Sequence, residues 1–231
     1  MSATNGCERD DVLRGTGRSP RLRVAAIAAA ALALLPGRAH AGAEDDEAAF
    51  ELGGGIDFTL LGSYDLGEGL GDPPERSDLG PGTLGVVVTG DARLSPALRL
   101  GVEAGIAVGG LVRTDERYFG GPSDVGSTAT VWVRGRLGST VMTRPGLRLR
   151  VGGGLGLERM SEATSGGSVR LDSLVAGPWA ALLIGRGLVA ELHGELHAPL
   201  RGEIDYRSGD PDGLFFGGGV RLAYVFGIGS R

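Results

Sequence analysis

The stretch Leu98-Arg-Leu-Gly-Val-Glu-Ala-Gly-Ile-Ala-Val108 (LRLGVEAGIAV) repeats with a period of two residues. Every even position from 98 to 108 is apolar, whereas the odd positions hold Arg99, Glu103, two glycines and an alanine. Successive side chains of a β-strand point to opposite faces, so this period predicts a strand with one apolar face. The segment Leu147–Leu157 alternates in the same way, and helical spacing lines up no apolar face along it.

The same alternation recurs along the chain and predicts eight strands. The runs cover residues 50–62, 84–94, 98–108, 128–138, 147–157, 174–184, 188–198 and 214–226. The run at 174–184 is the weakest, because Pro178 and Trp179 interrupt it and both of its faces are apolar.

The connections between these runs alternate in length, which indicates how the strands are arranged. The short connections contain Ser95-Pro96-Ala97, Arg144-Pro145-Gly146 and Gly185-Arg186-Gly187. These are typical of hairpin turns. The other four connections, near 63–83, 111–127, 159–173 and 199–213, are some fifteen residues long and rich in Gly, Pro and Asp. The sequence therefore predicts an all-β fold, an eight-stranded antiparallel up-and-down barrel with its long loops at one end.

The first part of the chain has the features of a secretory signal peptide. Several arginines up to Arg23 precede an apolar segment, Val24–Leu35, and the small-residue cleavage motif Ala39-His40-Ala41 follows. We therefore expect a signal peptide at 1–41, a short acidic tail at 42–49 and one barrel domain at 50–231. The single cysteine, Cys7, lies in the predicted leader, which excludes disulfides and thiolate metal sites from the mature chain.

The two faces of the predicted strands differ in charge. The apolar rows carry no charged residue, whereas the opposite rows carry as many acidic residues as arginines. These are Glu51, Asp57, Asp91, Glu103, Glu158, Glu191 and Glu195, and Arg93, Arg99, Arg134, Arg136, Arg148, Arg150 and Arg221. An apolar exterior in lipid and an ion-paired interior would explain both rows, making the barrel a transmembrane one. The alternative is a soluble lipocalin-like barrel that binds an apolar ligand, with the charges outside.

The stretch Val189–Pro199 (VAELHGELHAP) places Glu191, His193, Glu195 and His197 on one inward column. Two histidines and two glutamates could bind a divalent metal, but alternate residues of one strand lie nearly 7 Å apart and converge poorly. Hydrogen bonding inside an arginine-rich lumen is the favoured interpretation. Acidic residues at 65–78 and 201–213 leave calcium binding as a further alternative, although such residues are typical of any solvated loop.

These features together resemble the small outer-membrane β-barrels of Gram-negative bacteria, the OmpA- and OmpX-like group. The segment Gly219–Phe226 (GVRLAYVF) is similar to the C-terminal signal that hands the family's barrels to the outer-membrane assembly machinery, although five residues follow it here. Aromatic residues make up only 5% of the chain, so the expected interfacial girdles are thin. Candidates for the girdles are Tyr64, Tyr118, Phe119, Trp132, Trp179 and Tyr206.

The resemblance implies a cell outer membrane protein with a structural or surface-recognition role. Its expected partners are outer-membrane lipid, lipopolysaccharide and the barrel assembly machinery; no nucleic acid is expected, and the barrel is expected to be a monomer. An eight-stranded lumen is filled by side chains, so no wide pore is expected. We predict no cofactor, metal or catalytic residue. The glycine clusters at 152–156 and 217–219 are not followed by the helix that a phosphate-binding loop requires, so they do not indicate a nucleotide site.

An enzyme is the competing class, because some small outer-membrane barrels hydrolyse or transfer the acyl chains of lipid A. Those resembling the deacylases need a histidine and a serine together near the outer rim. No serine accompanies His193 or His197 in sequence, although a neighbouring strand could supply one. The sequence therefore favours a protein that is not an enzyme.

Overall fold

The computed structural model describes residues 48–62, 64–65, 76–114, 124–164, 167–204, 207–209 and 213–228. Within these ranges the regular structure is all β. The eight long strands are Phe50–Leu61, Arg76–Arg93, Leu98–Thr114, Asp124–Arg144, Leu147–Thr164, Gly167–Ile184, Leu188–Ile204 and Phe215–Ile228, called the first to the eighth strand. Two short segments, Tyr64–Asp65 and Arg207–Gly209, extend the sheet beside the second and seventh strands. The described ranges contain no apolar helix of the length that a membrane span requires.

The sheet closes on itself. Each long strand pairs antiparallel with the next, and the eighth strand pairs with the first over the register from Phe50–Ile228 to Leu61–Gly217. The first strand also pairs with the second, so its backbone is hydrogen-bonded on both sides. This closed ladder confirms the predicted eight-stranded antiparallel up-and-down barrel. Closure leaves no strand edge along the paired registers.

The strands are longer than the alternating runs predicted. The fourth strand has 21 residues, and the fifth and sixth strands run to Thr164 and from Gly167. The prediction of a long loop at 159–173 was therefore wrong, because most of it is hydrogen-bonded strand. The outward residues there are polar, as at Arg159 and Asp172, but ladder hydrogen bonds are made by the backbone and need no apolar outer face. The short turns lie at the predicted places, with Gly146 and Gly185 at positive φ of 71° and 62°.

The side chains of the strands point as the charge pattern predicts. On the outer face, Val102 keeps 53% of its surface exposed and Phe216 70%, whereas inward Arg221 keeps only 2%. Soluble proteins bury such apolar rows and expose their arginines, and this barrel does the reverse. The confirmed orientation removes the basis for the lipocalin-like alternative.

The apolar outer surface forms a belt of limited height. On the sixth strand the outward residues from Leu174 to Ile184 are apolar or small, and the next outward residue, Asp172, is charged. The strand rises about 3.3 Å at each of the steps from Leu174 to Ile184 and is tilted by roughly 40°, which gives a belt about 25 Å tall. A bilayer requires an apolar band of about this height.

An ion pair stands on the outer surface just beyond the belt. The guanidinium of Arg159 donates hydrogen bonds of 2.6 Å and 3.0 Å to the two carboxylate oxygens of Asp172. These hydrogen bonds lower the pKa of the Asp172 carboxyl. The position of the pair marks the loop-side border of the belt.

The prediction that Trp132 and Trp179 form interfacial girdles was wrong. Both lie at inward positions: Trp132 is buried, and the ring of Trp179 lies 4.3 Å from the guanidinium carbon of Arg136. The outward aromatic side chains belong to the first and eighth strands instead. They are Phe50, Phe58, Phe216, Tyr224 and Phe226. The remaining candidates, Tyr64, Tyr118, Phe119 and Tyr206, fall on side chains outside the described part of the structure.

Some inward glycines let neighbouring strands close tightly, and one pair of glycines tests this. A Cβ added at Gly156 would lie 2.1 Å from the carbonyl oxygen of Val133 on the fourth strand, whereas one added at Gly135 would lie 3.8 Å from that of Leu155. We expect Gly156→Ala to lower the free energy of unfolding by about 1–3 kcal/mol through overpacking against backbone. Urea unfolding in detergent or lipid measures the change. Gly135→Ala is the matched control, and equal losses in both variants would contradict the packing argument.

Candidate functional site

The buried charged side chains form a network that crosses the lumen, and Arg221 of the eighth strand lies at its centre. Its Nε donates to Asp57 of the first strand at 3.2 Å. Its Nη1 donates to Glu103 of the third strand at 2.8 Å and to Glu191 of the seventh at 3.0 Å. One guanidinium therefore ties together three strands besides its own. Such charge-assisted hydrogen bonds are stronger than neutral ones.

Two arginines of the fourth strand reach across to the seventh strand. Arg136 donates to Glu103 at 2.9 Å and to Glu191 at 2.6 Å, and its guanidinium stacks on the ring of Trp179. Arg134 donates to Glu195 through a short hydrogen bond and to Glu158 at 3.0 Å. These bridges fill the middle of the lumen with paired charge.

A second group of ion pairs lies nearer the short turns. Arg150 of the fifth strand donates hydrogen bonds of 2.6 Å and 3.0 Å to the carboxylate of Glu51 on the first strand, which lies across the barrel. Arg99 of the third strand lies 3.2 Å from the same carboxylate and donates to the carbonyl oxygen of Ala48 at 2.9 Å. The chain entering the first strand is thereby tied to the turn end of the lumen.

The predicted inward charges lie at inward positions, but the structure separates them along the barrel. The central layer joins five carboxylates, Asp57, Glu103, Glu158, Glu191 and Glu195, to the guanidinium groups of Arg134, Arg136 and Arg221. Glu162 of the fifth strand is also inward and buried, so the predicted count of seven against seven omits one inward carboxylate, and it does not hold for the middle of the lumen. The other four arginines belong to the turn end, with Glu51 and Asp91.

The column in Val189–Pro199 points inward as predicted. His197 is fully buried, with Nδ1 3.3 Å from Glu158 and Nε2 3.1 Å from Glu195. Its ring stacks on Phe215 at 4.4 Å with an angle of 11° between the planes. The donor atoms of Glu158, Glu195 and His197 lie within 4.8 Å of one another. Arg134 bridges these two carboxylates, so a guanidinium already supplies positive charge where a metal ion would bind.

Sequence reasoning missed some neutral members of the network. Thr59 donates a hydrogen bond of 3.1 Å to Asp57 and lies 3.4 Å from Nε2 of His193. Thr59 shares the inward parity of Asp57, and Phe215 that of Arg221, so the period of two places both inside. Their partners across the lumen depend on how the barrel closes, which the period does not specify.

Apolar side chains close the two ends of the ionic layer. Near the loops, Met160, Val169, Leu171 and Phe215 form a buried cluster with Leu61 packed against it. Near the turns, Ala181, Leu183, Val189 and Ala223 line one wall, opposite the pairs made by Glu51. The inner face is therefore layered, whereas the sequence predicted an inner face of charges and glycines.

Small cavities remain inside the barrel. One of about 40 Å³ lies toward the turns between the apolar wall and Glu51, Asp91 and Arg99. Another of about 20 Å³ lies in the central layer beside Arg134 and Glu195. A single buried water needs about 10–15 Å³ on this scale, so these cavities hold a few waters at most. Of the acidic residues considered for calcium at 65–78 and 201–213, Glu203 lies 3.7 Å from Arg170 on the outer surface. The others fall on side chains outside the described part of the structure.

Comparisons with known proteins find similarity in solved structures only. Neisserial surface protein A is 10% identical, over 78% of this chain and 97% of that chain, with a TM-score of 0.47. A major outer membrane protein from Thermus thermophilus is 14% identical, over 77% of this chain and 100% of that chain, with a TM-score of 0.49. An outer membrane channel from Pseudomonas putida gives a TM-score of 0.25 at 10% identity, over 83% of this chain and 99% of that chain. No family model and no curated protein sequence matches the chain.

Proposed function

We propose that this chain is an outer-membrane β-barrel protein with a structural or surface-recognition role and without a wide pore. The observation that carries the proposal is the pairing of an apolar belt about 25 Å tall with a buried, hydrogen-bonded ionic interior. Lipid would cover the apolar belt, and hydrogen bonds between the charged side chains replace water in the interior. The long connections at one end would carry whatever recognition the protein performs.

The closed interior supports a role other than transport. Arg221, Arg134 and Arg136 cross-link four other strands at the middle of the barrel, and apolar clusters lie at both ends of this layer. A hydrated ion passing through would have to displace several charge-assisted hydrogen bonds, each worth roughly 1.5–3 kcal/mol. The barrel thus serves as a rigid support for its loops.

The histidines favour a protein that is not an enzyme. His197 is fully buried beneath Phe215, and both of its ring nitrogens face carboxylates. A general base must reach a proton of the substrate, and this ring is covered on all sides. Incubation with labelled lipid A is expected to release no acyl chain, and release would contradict this part of the proposal.

The eighth strand supports export by the outer-membrane assembly machinery. The segment Gly219–Phe226 lies in the strand that completes the barrel, where Val220 pairs with Phe58 and Leu192 of the neighbouring strands. Closure of the barrel and contact with the assembly machinery would thus involve the same segment. Lipid and lipopolysaccharide are the partners expected for the outer belt.

Cell fractionation tests the location. The protein is expected in the outer-membrane fraction and is expected to migrate differently on gels before and after boiling, because a closed barrel resists unfolding by detergent at room temperature. The loop-deleted barrel, with the connections shortened, is the control and is expected to keep the same migration shift. A freely soluble protein without detergent would contradict the proposal.

Planar lipid bilayers test the closed lumen. We expect the reconstituted protein to show no stepwise conductance of the size given by open porins, because the central layer fills the lumen. The variant Arg134→Ala/Arg136→Ala, which removes two bridging side chains, is the positive control for an opened path. Large stable conductance steps from the unaltered protein would contradict the proposal.

A further inference from the structure

The central ionic layer has a local excess of carboxylates. The carboxylates of Asp57, Glu103, Glu158, Glu191 and Glu195 meet three guanidinium groups there. Uncompensated charge in a buried layer costs several kcal/mol, so further positive charge has to lie in the same layer. The side chain in position to supply it is His197, because both of its ring nitrogens face carboxylates.

His197 meets carboxylates on both edges of its ring. Nδ1 faces Glu158 of the fifth strand at 3.3 Å, and Nε2 faces Glu195 of its own strand at 3.1 Å. A neutral imidazole has one N–H and one nitrogen with a lone pair, which would here face a carboxylate oxygen. An imidazolium has two N–H groups and can donate to both carboxylates.

His193 lies one step along the column, at longer distances from its neighbouring carboxylates than His197. Nδ1 faces Asp57 of the first strand at 3.8 Å, and Nε2 faces Glu195 at 3.6 Å. The hydroxyl of Thr59 lies 3.4 Å from Nε2. Glu195 therefore stands between the two imidazoles, and the groups alternate as acid and base from Asp57 to Glu158.

We propose that Glu195, His197 and Glu158 form a buried proton-binding site. The His197 imidazole binds a second proton from solvent as the barrel assembles, and the resulting cation lies between the two carboxylates that its ring faces. It offsets one of the two excess negative charges of the central layer. The proposal is independent of what the loops recognise.

Each strand packed against the histidines contributes to this balance. Around His197, the fifth strand presents Glu158, the eighth presents the uncharged Phe215, and Arg134 of the fourth reaches the same two carboxylates. Around His193, the first strand presents Asp57 and Thr59. Two further neighbours border this histidine: Trp179 opposite it on the sixth strand, and Arg221 of the eighth strand, which binds Asp57.

A metal ion is the competing occupant, and the contacts disfavour it. Arg134 donates to both Glu158 and Glu195, so two of the three groups that could ligate an ion are already hydrogen-bonded to a cation. Protons need no such displacement.

Nuclear magnetic resonance of the histidine rings tests the site in the folded, detergent-solubilised protein. The chain has three histidines, of which His40 lies in the predicted signal peptide. At pH 7.5 we expect both ring nitrogens of His197 to carry protons, with His197→Asn assigning its signals. A neutral His197 ring overturns the proposal, as does stoichiometric bound metal that a chelator removes with a change in these signals.

A charge-matched pair of variants tests the cause. Glu158→Gln removes the carboxylate facing Nδ1 of His197 and is expected to weaken proton binding there by about tenfold or more. Glu203→Gln makes the same chemical change outside the lumen, where Glu203 lies 3.7 Å from Arg170, and is expected to change it less than about twofold. Equal effects of the two variants overturn the proposal. Gel migration before and after boiling confirms that each variant is folded, which separates this result from a failure of the outer-membrane assignment.

Discussion

Replacing Val102 with arginine is expected to make folding into lipid vesicles less favourable by about 2–4 kcal/mol, the penalty for arginine near the bilayer midplane. Val102 lies on the outer face near the middle of the third strand's apolar row. The new guanidinium would face hydrocarbon with no partner, because the neighbouring outward residues are apolar or small. Urea-dependent folding into vesicles, followed by the gel migration shift, measures the loss.

The matched control for Val102→Arg is Ala163→Arg. Ala163 is also outward and exposed, but it lies on the fifth strand beyond Arg159 and therefore above the belt. We expect this variant to fold within about 1 kcal/mol of the original, because the cost of arginine falls to about 0–1 kcal/mol at the interface. Two equal losses would show that the belt is not in contact with lipid.

Replacing Arg221 with methionine is expected to lower the free energy of unfolding by about 3–5 kcal/mol. Methionine keeps much of the side-chain volume but removes every hydrogen bond to Asp57, Glu103 and Glu191. Asp57 would then lose the hydrogen bond from its arginine, and Glu103 and Glu191 would keep only their hydrogen bonds to Arg136. Chemical unfolding in detergent measures the loss.

The control for Arg221→Met is Arg170→Met on the outer surface. Arg170 keeps 55% of its side chain exposed and lies 3.7 Å from Glu203, so its loss is expected to change stability by less than about 1 kcal/mol. Adding Glu191→Gln to Arg221→Met is expected to recover part of the lost stability, since fewer carboxylates remain unpaired. A loss for Arg221→Met no larger than for Arg170→Met would contradict the central role of the network.

The period of two predicted the fold class, the number of long strands and the direction of each face. In segments such as Leu98–Val108 a shift by one residue would move every apolar side chain to the wrong face, so the register is strongly determined. The loop-side ends were mispredicted, as at 159–173. There Arg159, Arg170 and Asp172 point outward, so the apolar outer row that marks the other runs is absent, although Met160, Val169 and Leu171 point inward. The backbone ladder continues the strands without that outer row.

The candidate site was likewise predicted only in part from the sequence. Strand parity placed the acidic residues and arginines inside, but the count of seven of each omitted the buried, inward Glu162. It did not show that Trp179 stacks on Arg136, or that Glu195 stands between His193 and His197. These contacts join strands far apart in sequence, and they follow from the closure of the sheet.

The sequence alone therefore determined an apolar exterior and a charged interior, because the side of the sheet to which a side chain points alternates residue by residue along each strand. Only the tertiary structure decided which carboxylate meets which arginine, and that the middle of the lumen has two carboxylates more than arginines. Closure of the barrel decides these distances, and electrostatic pairing depends on distances across the lumen. The total charge of the residues on one face of a strand does not specify these distances.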